Sequence, residues 1–152
     1  MSNAGLAEMQ LATRVAISKL SPALQALAAR QDVPVFHSAC AAGEFELVRG
    51  LLDAGVPPDT YPCTEDENDE PPLTWIARYR DPADGRTLAI AQLLLDRGAN
   101  VDEGLPLAAA VVEGDLLLAQ MLLAAGADVQ QVLDELDESQ QQLLDSLVKG
   151  LL

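Results

Sequence analysis

An all-helical fold, a short array of repeated helix pairs closed by a helical cap at each end, is what this sequence predicts. Three observations carry the prediction. The first is composition: of 152 residues 49% are hydrophobic but only 3% aromatic, so the core has to be built from Leu, Ala and Val, which suits packed helices better than twisted strands. The second is that three stretches end alike, Leu51-Leu52-Asp53-Ala54-Gly55, Leu94-Leu95-Asp96-Arg97-Gly98 and Leu122-Leu123-Ala124-Ala125-Gly126. A Leu-rich helix closed by Gly reads as a helix C-terminus, because Gly takes the left-handed conformation after the last turn at no steric cost. The third is that a second apolar segment stands ahead of each: Val35 to Cys40, Pro72 to Ala77 and Pro106 to Val111.

Taken in order, residues 1–33 read as an N-terminal cap. Leu6, Met9, Val15 and Leu20 suggest one helix, and Ser21 as N-cap with Pro22 in the first turn starts another that runs through Arg30. Residues 34–130 hold the three helix pairs, with Pro72 and Pro106 placed where a missing N–H costs nothing. Residues 131–152 read as a C-terminal cap. Val132, Leu133 and Leu136 share one helical face, Ser139 with Gln142 offers a capping box, and Leu143, Leu144, Leu147, Val148 and Leu151 continue a second face. The whole is expected to form a single compact array, since the end units of a repeat stack must shield its core.

At these residues the chain resembles the ankyrin repeat family, whose unit of about 33 residues opens with T-P-L-H-x-A. The first unit carries His37, Ala39, Gly43, Glu46, the Leu51-Leu52 pair and Gly55; the third carries Pro106, Leu107, Ala110, Gly114, the Leu122-Leu123 pair and the Gly126-Ala127-Asp128-Val129 tail. The middle unit departs: Gly55 and Gly98 lie 43 residues apart, about ten more than the period. The excess falls in the acidic loop before Pro71 and in Arg80-Asp81-Pro82-Ala83-Asp84-Gly85, whose turn chemistry lengthens the inter-helix loop. Gly98 and Gly126 are only 28 apart, so the connector near Asp102 to Gly104 is shortened.

Charge and segment length exclude several functions. A formal net charge of -15 repels phosphate backbones, which are bound chiefly by Lys and Arg, so nucleic acid is not an expected partner. The uncharged apolar stretch Leu116 to Ala127 is well short of the ~20 residues that cross a bilayer. The N-terminus lacks the basic start and apolar run of a secretory signal, and two cysteines, Cys40 and Cys63, are too few for a disulfide framework. The expectation is a monomeric cytoplasmic protein.

No catalytic residue, metal or cofactor is expected. The one histidine, His37, sits where the resemblance implies a structural hydrogen-bonding role. His37 and Cys40 are three apart on one helix, but the chain's one His and two Cys cannot fill a four-ligand zinc site. Cys40 takes a small core position, whereas Cys63 lies in a Pro-flanked acidic loop. That loop, Glu65, Asp66, Glu67, Asn68, Asp69 and Glu70, is no EF-hand, because Pro71 stands where the sharp-turn Gly is needed. It reads as a solvated loop able to steer a basic partner.

The pointed feature is Trp75, Arg78 and Tyr79, at i, i+3 and i+4 on one helical face. The resemblance implies that Leu73, Ile76 and Ala77 face inward while Trp75, Arg78 and Tyr79 line a concave groove, flanked by Ser38, Ala41 and Ala42 on one side and Ala109, Val112 and Glu113 on the other. The competing reading packs Trp75 and Tyr79 under the loop from Arg80 to Gly85. Trp, Tyr and Arg are the types enriched at binding hot spots. The expected function is therefore non-catalytic binding of another protein, with a basic protein as one candidate partner. The alternative is an acidic inhibitor, of the immunity-protein kind, that neutralises a basic toxin or enzyme.

Overall fold

The computed structural model describes residues 13–32, 34–60 and 70–150, and among these all regular structure is helical. A helical segment at 13–18, α1, leads into α2 (Pro22–Ala29), α3 (Val35–Ala42), α4 (Phe45–Asp53), α5 (Pro72–Tyr79), α6 (Gly85–Asp96), α7 (Pro106–Val112) and α8 (Leu116–Ala124). A short α9 (Val129–Val132), a 3-10 turn (Leu133–Glu135) and α10 (Glu138–Gly150) complete it.

The helix ends repeat at the level of single bonds. After α4, Gly55 N–H donates to Leu52 O and Val56 N–H to Leu51 O; after α6, Gly98 donates to Leu95 and Ala99 to Leu94; after α8, Gly126 donates to Leu123 and Ala127 to Leu122. All three glycines have positive φ, at 110°, 95° and 96°, so each satisfies the last carbonyls of its helix as a C-terminal cap must. The turns inside the first and third pairs also match: Gly43 donates to Cys40 and Glu44 to Ala39, while Gly114 donates to Val111 and Asp115 to Ala110.

Within each pair the two helices pack on each other, α3 on α4, α5 on α6 and α7 on α8. The first helices α3, α5 and α7 lie side by side, α4 packs against α6, α2 covers α4, and α10 covers α7 and α8. One continuous core results, with Leu47, Leu51, Ile76, Ile90, Leu94, Leu107, Leu118, Leu122 and Leu144 fully buried. Each such side chain contributes roughly 1.5–3 kcal/mol relative to an exposed one. The inward set expected on α5 is observed, with Leu73, Ile76 and Ala77 all buried, and Cys40 is buried too.

Carboxylates tie successive units together along one edge. Asp59, four residues after Gly55, accepts the Asn100 N–H through both oxygens at 3.0 Å, and Asp102, four after Gly98, accepts the Asp128 N–H at 2.8 Å. Asn100 and Asp128 each stand two residues after their own glycine, so the same link joins pair one to two and two to three. Gln130 occupies the equivalent place in the third tail.

Several expectations are corrected. The second insertion lengthens the loop only to Asp84, because Asp84 accepts the Arg86 N–H as N-cap and Gly85 already belongs to α6. The capping box of α10 is Asp137 with Gln140, not Ser139 with Gln142: Gln140 N–H donates to Asp137 Oδ1 and Asp137 N–H to Gln140 Oε1, at 2.8 and 2.9 Å. Ser139 supports it by donating to Asp137 Oδ1. Val132 and Leu136 are buried as expected, but the helix breaks between them into the 3-10 turn. In the N-terminal cap Ser21 does accept the Leu24 N–H, yet Val15 is exposed and Ala16 points into the core instead. Leu6, Met9, Cys63 and Leu151 lie outside the described residues.

Candidate functional site

Helix α5 positions the aromatic face, and Pro72 in its first turn together with buried Leu73 and Ile76 fixes its rotation. The Trp75 ring meets the edge of His37 at 5.5 Å between centroids and the ring of Tyr79 at 4.8 Å, both within the range of favourable aromatic pairs. Trp75 is half-buried and Tyr79 is 60% exposed. Trp75 thus leans on α3 through His37 on one side and carries Tyr79 on the other.

His37 is buried, and its Nε2–H donates to the Glu70 carbonyl at 3.0 Å. Since a carbonyl can only accept, this contact places a proton on Nε2. Glu70 is held a second time, because Arg78 Nε–H donates to both of its carboxylate oxygens at 2.8 Å. The Glu70 carboxylate raises the Arg78 guanidinium above its ordinary pKa, with Tyr79 and Glu113 adding in the same sense and burial opposing. The last residue of the acidic run is therefore docked on α3 and α5, while Glu65, Asp66, Glu67 and Asp69 lie outside the described residues.

Between α5 and α7 opens a cleft of about 370 Å³ lined by Arg78, Gly104, Leu105, Ala108, Ala109, Val112 and Glu135. It unites Arg78, Ala109 and Val112 of the expected groove set. Ala109 lines it as a buried residue, while Val112 is 48% exposed and Glu113 is exposed. Ser38 and Ala41 are half-buried and Ala42 is exposed on α3, and none of them lines the cleft.

Gly104, Leu105, Ala108 and Glu135 join the site without having been singled out by sequence. The shortened connector brings Gly104 against α5: its φ is +74°, and a Cβ there would lie 2.7 Å from Thr74 Oγ1 and 2.8 Å from Pro71. Leu105 follows in the left-handed region at φ 55°, unusual for a branched residue. The shortened spacing from Gly98 to Gly126 was the sequence signal for such a tight connector.

A second cluster escaped sequence reasoning altogether. Arg80, at the end of α5, is buried and donates from Nε and Nη2 to the two oxygens of Asp115, the N-cap of α8. Its remaining donors reach the carbonyls of Asp81, Pro82 and Asp84 and the Thr87 hydroxyl. The inserted loop is wound around this guanidinium. Every donor is satisfied, as a buried cation requires.

Among the described residues no group of three or more His, Cys, Asp or Glu is placed to hold a metal ion, and no helix is long and apolar enough to cross a membrane. Burial raises the Cys40 thiol pKa far above its ordinary value, so Cys40 stays a neutral thiol in the core. No protein-family model matches the chain, and no curated protein matches it either.

Proposed function

We propose that this chain is an ankyrin-type repeat protein that binds another protein, without catalysis, through the groove between α5 and α7 and the aromatic face beside it. The observation that carries the reading is the placement of Tyr79 and Val112, 60% and 48% exposed. Val112 lines a cleft whose other walls include the small residues Gly104, Ala108 and Ala109 together with Arg78, and Tyr79 follows Arg78 on α5. Monomeric proteins seldom leave such groups together in water without use, and Trp, Tyr and Arg are the usual anchors of protein interfaces. The repeated glycine ends and the carboxylate links between successive units support the repeat reading. Stacked units of that kind present a shared surface whose exposed positions are free to encode a partner.

A photo-crosslinking residue placed at Tyr79 or at Val112, and as a control at exposed Gln92 on α6, tests the proposal in the native host. Recurrent capture of one protein from Tyr79 and Val112 but not from Gln92 is expected. Capture that does not distinguish these positions, or none at all, overturns it.

A further inference from the structure

Resting on that protein-binding reading, we propose that the α5–α7 cleft seats a lysine or arginine carried on an apolar segment of the partner. The wall formed by Leu105, Ala108, Ala109 and Val112 is aliphatic, a surface along which the methylene stem of a long basic side chain lies while its charged head stays at the mouth. The volume, about 370 Å³, is at the small end of binding pockets and suits a side chain better than an extended ligand.

The mouth is negative. Glu135 lines it, and Glu113 follows Val112 and bears electrostatically on Arg78; neither acid makes an ion pair or a side-chain hydrogen bond with a described residue. The one cation of the lining, Arg78, is already engaged by both oxygens of Glu70. An incoming ammonium or guanidinium thus meets two unengaged carboxylates and a cation whose charge is balanced. Tyr79 follows Arg78 on the same helix and is 60% exposed, so its ring is open to a cation of the same bound segment. The formal net charge of -15 draws a basic segment toward this surface and opposes an acidic one.

The test uses the whole chain and a library of random linear peptides displayed on phage. Selected sequences are expected to carry Arg or Lys beside apolar residues. A synthetic peptide of the winning sequence should lose binding to the Tyr79→Ala/Val112→Ala variant, and should bind the Glu113→Lys/Glu135→Lys variant about tenfold or more weaker. Replacing the peptide's basic residue by Glu should restore binding to the charge-reversed variant. All four positions are exposed, so the variants keep the fold. Peptides that need Tyr79 and Val112 but are not basic, or that survive charge reversal, overturn the basic occupant and leave the protein-binding groove standing. Peptides indifferent to Tyr79 and Val112 overturn both. Failure to select any peptide overturns the seating of a linear basic segment, and the crosslinking experiment then decides the groove on its own.

Discussion

Arg80 and Asp115 are the residues on which the middle of the molecule depends most. The guanidinium is nearly inaccessible and spends every N–H on protein acceptors, so removing either partner strands a charge in the core. Arg80→Ala or Asp115→Ala is expected to cost about 3–5 kcal/mol in urea unfolding, whereas Arg80→Met with Asp115→Leu should cost far less. A double variant as unstable as the singles would mean that the loop carbonyls, left without a donor, matter more than the charge pair. Asp59 offers a gentler test. Burial lifts its carboxyl above the ordinary value, outweighing the Asn100 N–H that favours the charged form. A raised folded pKa means that ionised Asp59 opposes folding at neutral pH and that its contribution improves as pH falls through that pKa. Asp59→Asn, which drops the charge and keeps an acceptor, should therefore be neutral or slightly stabilising at pH 7, with any gain vanishing in acid. Asp59→Ala leaves the Asn100 N–H without its acceptor and should cost about 1 kcal/mol. Thermal melts at pH 7 and pH 4 separate the two.

At the scale of elements, legibility followed locality. The ends of α4, α6 and α8 were readable because a Leu pair, a small connector and Gly at fixed spacing settle a helix terminus within one turn. The inward face of α5 was readable because helical periodicity relates Leu73, Ile76 and Ala77 directly. What was missed needed a partner distant in sequence. Arg80 looks like a loop residue until Asp115 arrives beside it, and Glu135 borders the cleft only once the C-terminal segment has folded back beside α7. The start of α10 failed for a local reason instead, since Asp137 and Ser139 both offer capping oxygens and the better acceptor won. The Gln140 N–H, with help from the Ser139 hydroxyl, holds the Asp137 carboxyl below its ordinary value. A lowered folded pKa gives stability that is present above the unfolded pKa and lost as pH falls through the folded one. Asp137→Ala should thus speed amide exchange in the first turn of α10 at neutral pH and change little in strong acid. Equal protection of that turn in both proteins at pH 7 would return the cap to Ser139.

At the scale of the whole molecule, one helix carries two demands, because α5 is both the central slab of the core and the support of the candidate surface. Trp75 belongs to both: its ring leans on buried His37 and holds Tyr79 outward. Truncating it mixes lost packing with lost binding. Tyr79 separates them. At 60% exposure its ring loses little beyond the Trp75 contact, so Tyr79→Ala should cost about 1 kcal/mol of stability or less. As a surface anchor it should nevertheless weaken partner binding by about 2 kcal/mol. Trp75→Ala, half-buried against α3, should cost both stability and affinity. The contrast is measured by denaturation midpoint and by affinity for whatever protein crosslinks at Tyr79. If Tyr79→Ala binds that protein as well as the parent does, the aromatic face serves packing and the contact lies elsewhere. If it destabilises the fold as much as Trp75→Ala does, the ring is core after all, and the exposed surface on α5 reduces to Arg78.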